Sequence, residues 1–237
     1  MKGIILSGGH GTRLKPLTLV TSKQLLPVYN KPMIYYPLET LLNAGIKDIL
    51  IIIAPDRAGD YLRLLGSGKE FGAKFTYEIQ DKPGGLSESF LIGADFIGDD
   101  NVCMILGDNI FEDDFSETIK TFKSGGHIFA KQVPDPERFG VVKFDEKMNA
   151  VEIVEKPKTY LSNFAITGLY IYDNRVVEAA RTAERSERGE LEITECHNWY
   201  LKRRELKVDI VNGEWFDAGS FETLYKATEL VRNKALK

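Results

Sequence analysis

The chain is poor in the residues that several large protein classes depend on. Its 237 residues include 2 Cys, 3 His and 2 Trp, and its formal net charge is −4. Cys103 falls in an apolar run and Cys196 in an expected helix, far apart in sequence. Two such cysteines do not make a disulfide framework, and they lack the close ligand spacing of a zinc site. They are expected to be reduced thiols. The acidic balance excludes the broad basic face that nucleic acid requires, while a local cationic pocket for a phosphate stays open. No stretch nears the ~20 apolar residues of a membrane span. The short apolar run at residues 4–7 meets glycine at once, unlike a signal peptide. The chain is therefore expected to be cytoplasmic. No repeat, low-complexity tract or clear linker interrupts it, so residues 1–237 are expected to form one domain.

What is present is alternation. Apolar, β-branched runs at 3–7, 48–53 and 102–106 read as buried strands, with another at 74–79. Helical spacing fills the gaps at 32–44, 60–65 and 86–97, the first stopped by Gly45. Strand–helix alternation of this kind predicts an α/β fold with a Rossmann-like mixed, mostly parallel central sheet flanked by helices. The second half is less regular. Strands are expected at 127–132, 140–145, 150–154, 165–172 and 205–211, and helices at 176–185 and 193–204. A last helix is expected over 221–236, with Ser220 as N-cap and Phe221, Leu224, Thr228, Val231 and Ala235 along one face.

Three segments carry chemistry. Gly8-Gly9-His10-Gly11-Thr12-Arg13 follows the first strand. Glycines there let backbone N–H groups approach an anion without side chains in the way. Arg13 adds a planar cation suited to phosphate oxygens, and Lys23 follows on the same connection. The loop is not a Walker motif, which ends in Gly-Lys-Ser/Thr. It is not a dinucleotide fingerprint either, because Leu14 stands where the third glycine belongs. A glycine-rich turn without a ligand is an equally open reading of the loop alone. Asp108, in Gly107-Asp108-Asn109, ends a buried strand, where ligands of open α/β sheets gather. Asp217 lies in Trp215-Phe216-Asp217-Ala218-Gly219. Magnesium on a nucleotide takes one or two carboxylates plus phosphate oxygens, but spacing alone favours two structural aspartates. Glu155-Lys156-Pro157 offers a cation for a phosphate and a carboxylate for sugar hydroxyls. On local sequence it is better read as a surface ion pair.

Taken in order, further segments join these. They are Ser22-Lys23-Gln24-Leu25-Leu26-Pro27-Val28, Lys31-Pro32-Met33-Ile34-Tyr35-Tyr36, Leu106-Gly107-Asp108-Asn109-Ile110-Phe111, Asp135-Pro136-Glu137-Arg138-Phe139-Gly140-Val141, Thr167-Gly168-Leu169-Tyr170 and Arg188-Gly189-Glu190-Leu191-Glu192-Ile193-Thr194. The whole series resembles the glucose-1-phosphate thymidylyltransferase family of sugar nucleotidylyltransferases. The resemblance implies the nucleotide-diphospho-sugar transferase type of fold. It also implies Mg²⁺ as cofactor, dTTP or UTP and glucose 1-phosphate as substrates, and a homo-oligomer. Arg13 and Lys23 would hold the triphosphate, and Asp108 and Asp217 the metal. Leu6, Gly8, Gly9, Gln80 and Gly85 would line the nucleotide pocket. Asp108, Asn109, Gly140, Glu155, Lys156 and Ile166 would face the sugar phosphate.

The chain departs from the family's pattern at several points. Phe139 stands where Tyr is frequent, Glu88 where Gln is usual, and His10, given a loop role here, where Thr is frequent. The loop Gln80-Asp81-Lys82-Pro83-Gly84-Gly85 also differs, which leaves dTTP and UTP undistinguished. Longer members continue into a helical extension that helps form a regulatory site, so that control is expected to be absent or altered. Two other classes use related chemistry: a non-catalytic nucleotide-sugar sensor, and a glycosyltransferase, which usually carries Asp-X-Asp rather than Gly107-Asp108-Asn109.

Overall fold

The computed structural model describes residues 1–9 and 11–236; His10 and Lys237 lie outside the described residues. In chain order the strands are β1 (Lys2–Ser7), β2 (Pro27–Val28), β3 (Lys31–Pro32), β4 (Asp48–Ile53), β5 (Lys74–Ile79), β6 (Val102–Leu106) and β7 (Asn109–Phe111). They continue as β8 (Gly126–Gln132), β9 (Gly140–Phe144), β10 (Ala150–Glu155), β11 (Phe164–Tyr172), β12 (Leu206–Ile210) and β13 (Trp215–Asp217). The helices are α1 (Tyr35–Asn43), α2 (Ala58–Leu65), α3 (Glu88–Ile92), α4 (Ala94–Ile97), α5 (Ser116–Thr121), α6 (Val176–Thr182), α7 (Ile193–Lys202) and α8 (Phe221–Ala235). The expected α/β class is found: a mixed sheet of parallel and antiparallel strands, with helices between them in the chain. Among the described residues no helix is long and apolar enough to cross a membrane.

By contact the chain separates into two compact units, one of Lys2–Pro83, Ile105–Lys120 and Gly213–Lys237, the other of Gly84–Met104 and Thr121–Asn212 with Met1. In the first, the parallel unit, β4 pairs in parallel with β1 and with β5. Residues 49–53 of β4 are all buried, as a β-branched strand covered on both faces should be. Parallel neighbours need crossover connections, and α1 and α2 supply them. Helix α1 starts at Tyr35 rather than at residue 32. Pro32 is already paired with Pro27 in the β2–β3 ribbon, and proline lacks the N–H that a helix interior needs. Gly45 ends α1 with φ +82, a conformation that suits glycine.

Helix α8 begins in a capping box: Ser220 accepts from the Thr223 N–H, and Thr223 accepts from the Ser220 N–H. Its buried stripe differs from the expected one. Ala227 is fully buried, and Leu224 and Val231 pack with it against Val28, Met33, Ile110 and Ala218. Phe221, expected on that face, is exposed, and Thr228 returns its hydroxyl to the Leu224 carbonyl. The stripe thus runs through 224, 227 and 231, at i, i+3 and i+7.

In the second, the antiparallel unit, β11 pairs antiparallel with β8 and β9, β10 pairs antiparallel with β9, and β12 joins β8 in parallel. The single helix expected over 86–97 is two short ones parted at Gly93, a residue that weakens helix interiors. Tyr172 of β11 is fully buried, edge-on to Phe90 and stacked on Tyr200 of α7. The two cysteines are free and buried, as expected.

Candidate active site

In the parallel unit the expected residues gather at the carboxyl ends of the strands. β1 runs out at Ser7 into Gly8 and Gly9, β5 into Gln80, and β6 through Gly107 into Asp108. At position 8 a Cβ would lie 2.6 Å from the Gln80 Oε1, so glycine lets that amide come close to the loop. Gln80 is itself buried and donates its backbone N–H to the Ile53 carbonyl at 2.9 Å. Leu6 is buried, and its carbonyl accepts from the Gly107 N–H at 2.9 Å. Gly11 adopts φ +60, and a Cβ on it would crowd Thr18 and Lys23. The glycines of the loop therefore let the chain fold closely over Gln80 and Lys23.

Arg13 sits on a short turn (Thr12–Leu14) anchored by fully buried Leu14. Its guanidinium is 3.6 Å from the Asp217 carboxylate. Gly219 leaves room for it, since a Cβ there would lie 2.6 Å from Nη2. Lys23 donates through Nζ to Asp108 Oδ2, and both side chains are nearly buried. Its turn is held because buried Gln24 accepts from Tyr61 O–H at 3.1 Å and, through its carbonyl, from Ile34 N–H at 2.8 Å.

Sequence spacing did not say whether Asp108 and Asp217 meet. They do meet, on the two-stranded ribbon of β7 and β13. Asp217 is the register partner of Asn109, next to Asp108, and the Ala218 N–H donates to the Asp108 carbonyl at 2.9 Å. The electrostatics follow from that closeness. For Asp108, burial favours the neutral acid, but the Lys23 ammonium and its hydrogen bond outweigh burial and hold the pKa below the usual range. Lys23 is the mirror case: burial disfavours its charge, Asp108 overcomes that, and the pKa is raised. Asp217 is pushed up to about 6 by burial and by repulsion from Asp108, with Lys23 and Arg13 only partly offsetting them. Two facing carboxylates, one of them incompletely neutralised, suit a divalent cation that brings its own phosphate and water oxygens. Among the described residues no cluster of three or more His, Cys, Asp or Glu forms a fuller cage.

The antiparallel unit holds the other expected residues. Gly140 is the register partner of Glu155. A Cβ on Gly140 would lie 2.9 Å from Thr194 Cγ2, 3.3 Å from Glu155 Oε2 and 3.6 Å from Ile166 Cδ1, so these side chains share one spot. Lys156 has φ +42, unusual for a side-chain-bearing residue, and its N–H donates to the Phe139 carbonyl at 3.0 Å. Its Nζ is 3.8 Å from Glu155 Oε1. The Glu155 pKa is raised by burial and by Glu192, against the pull of Lys156 and Arg188. Gly85, at φ +100, lies against the backbone of Leu191, where a Cβ would come within 2.3 Å of the carbonyl oxygen. Glu88 lies 3.8 Å from Arg185.

Sequence reasoning missed two features. Arg188 lies 3.5 Å from Glu155 and 2.8 Å from Glu192, so it completes the cationic side of this cluster. Trp215 donates its indole N–H to Asn109 Oδ1 at 2.6 Å, and Asn109 donates to Asp108 Oδ1 at 3.2 Å. Both residues stood in motifs that the sequence had flagged. Glu155 and Asn109, the partners that tie them to the site, lie too far along the chain for spacing to reveal.

A carboxylate pair, an ammonium and a guanidinium beside a glycine loop make an anion-handling site of the phosphoryl-transfer kind. The family model described as Nucleotidyl transferase matches residues 2–234, and the chain belongs to that family. The relatives are narrower in name. A glucose-1-phosphate thymidylyltransferase of Neisseria meningitidis is 52% identical over 238 residues, covering 98% of this chain and 83% of that protein. The enzyme of the same name from Mycobacterium tuberculosis is 49% identical, covering 98% of this chain and 82% of its own length. A Bacillus anthracis structure assigned to that activity, in complex with sucrose, superposes with a TM-score of 0.93 at 46% identity, covering 98% of this chain and 95% of the other.

Proposed function

We propose that the chain, acting as a single nucleotidyltransferase domain, transfers dTMP from dTTP to glucose 1-phosphate, giving dTDP-glucose and pyrophosphate. The observation that carries this reading is the meeting of Asp108 and Asp217 beside Lys23 and Arg13. The names of the relatives at about half identity support the choice of substrates.

The attacking group is an oxygen of the sugar phosphate. A phosphate monoester has a second pKa of ~6 and is largely dianionic at neutral pH. It needs no general base. The obstacle is the approach of two anions and the charge that builds on the departing pyrophosphate. Mg²⁺ held by Asp108 and Asp217 would supply charge neutralisation on the triphosphate. Lys23 and Arg13 stabilise the leaving pyrophosphate, and the amides of Gly8 and Gly9 approach its oxygens. Leu6 and Gln80 line the nucleotide pocket, with Gln80 on the pyrimidine edge, a contact that UTP would also satisfy. Lys156, with Arg188 beside it, binds the phosphate of the sugar substrate. Glu155 accepts from sugar hydroxyls, and Gly140 and Ile166 shape that pocket. In-line alignment of nucleophile and leaving group supplies the rest of the rate.

The test is pyrophosphate release with dTTP, glucose 1-phosphate and Mg²⁺, with the sugar product analysed. No release, or sugar transferred to another acceptor, would overturn the proposal. A panel of UTP against dTTP and of other sugar phosphates would fix the substrates. A homo-oligomer and a cytoplasmic setting complete the reading, and sedimentation and fractionation would check them.

A further inference from the structure

A metal-binding carboxylate must present its oxygen in a fixed direction, and Asp108 sits on a loop between two strands. Lys23 holds its Oδ2. The other oxygen, Oδ1, accepts from the Asn109 amide at 3.2 Å, and the Asn109 Oδ1 accepts from the Trp215 indole at 2.6 Å. The chemistry of this chain has one direction. An indole N–H only donates, so the amide oxygen must face it. The amide NH₂ is then left facing an ionised carboxylate, which only accepts. Trp215 also stands two residues before Asp217 on β13, the strand whose pairing with β7 brings the two carboxylates together.

We infer that Trp215 is a positioning residue that acts through Asn109 to aim Asp108, so that β13 both carries one metal-binding carboxylate and orients the other. This rests on the reading of Asp108 and Asp217 given above. Partners that orient metal ligands are typically worth ten- to a hundredfold in metal affinity.

Trp215→Phe keeps an aromatic ring in place and removes the donor, at the cost of some ring volume. Mn²⁺ binding to the substrate-free protein, read from the EPR signal of the free ion, should weaken about tenfold. The metal concentration giving half-maximal pyrophosphate release should rise by the same factor. Asn109→Ala should show a similar loss. In that background Trp215→Phe should add nothing, because the two act in series. Wild-type affinity in Trp215→Phe, or losses that add in the double variant, would overturn the inference while leaving the site intact. A wild-type protein that binds no Mn²⁺ beyond what the nucleotide itself binds, even with dTTP present, would overturn the carboxylate pair as a metal site, and the inference with it. Unfolding midpoints of the variants separate both results from a simple loss of fold.

Discussion

Lys23 and Asp108 in the parallel unit are 14% and 9% exposed, whereas Lys156, Arg188 and Glu155 in the antiparallel unit are 44%, 42% and 22% exposed. The first pair is a nearly dry ion pair of fixed geometry. The second is a shared cluster in which one guanidinium touches Glu155, Glu190 and Glu192. Breaking a buried pair strands a charge and costs about 3–5 kcal/mol, while exposed pairs contribute about 0–1 kcal/mol. The proposed roles match this contrast. Groups that meet charge developing in the transition state gain from being fixed beforehand. Groups that grip and release a substrate anion gain from cations that can exchange partners.

The comparison can be broken first at Asp108. Asp108→Asn should lower turnover about a thousandfold, the scale on which a lost electrostatic stabiliser acts. It should also shift the denaturation midpoint far more than Arg188→Ala, because it strands the Lys23 ammonium. Near-normal metal-dependent turnover would remove Asp108 from the chemistry. Equal midpoint shifts in the two variants would dissolve the contrast between the units.

Lys156→Ala should raise the KM for the sugar phosphate about thirtyfold, within the 2–3 kcal/mol range of a charge-assisted hydrogen bond, and leave the KM for the nucleotide nearly unchanged. A matching rise in the nucleotide KM would show that the two clusters do not divide the substrates as proposed.

A smaller effect concerns protons. Asp217, pushed up to about 6, competes with a metal for the same oxygens once the solution falls below that value. Lowering the pH from 7 to 5 should therefore weaken Mn²⁺ binding by about tenfold, as one proton must leave for each ion bound. Binding that stays level across that interval would mean Asp217 is not a ligand.

The sequence showed the long strands of both units more clearly than the ribbon that builds the site. β4, β5 and β6 were legible to the residue: β4 as a β-branched run buried on both faces, β5 and β6 as short runs bounded by charged, glycine or asparagine residues. The ribbon of β7 and β13 was not, since a three-residue strand carries no periodicity. Yet that ribbon is what joins Asp108 to Asp217 across more than a hundred residues. Gly8, Arg13 and Lys23 could be flagged from local chemistry. Arg188 could not, because an arginine beside three glutamates acquires meaning only when β10 brings Glu155 to it. The shifted stripe of α8 has a plainer cause: alanine is too weak a hydrophobic marker to outvote Phe221, and its small size is what lets the helix seat closely on Val28 and Ile110.

The smallest test turns on burial without charge. His197 of α7 is fully buried in the antiparallel unit, its Nδ1 lies 2.6 Å from the Tyr172 hydroxyl, and its Nε2 has no hydrogen-bond partner. Burial alone drives its pKa down to about 3. In the unfolded chain a histidine titrates near 6.5. Between those values the unfolded state binds the extra proton, so stability is complete above about 6.5 and erodes as the pH falls toward 3. From pH 6.5 to 5.5 that loss is about 1 kcal/mol. His197→Gln, which keeps a polar group for Tyr172, should unfold with a pH dependence shallower by that amount over the same interval. An unchanged slope would mean that the imidazole takes up its proton inside the folded protein.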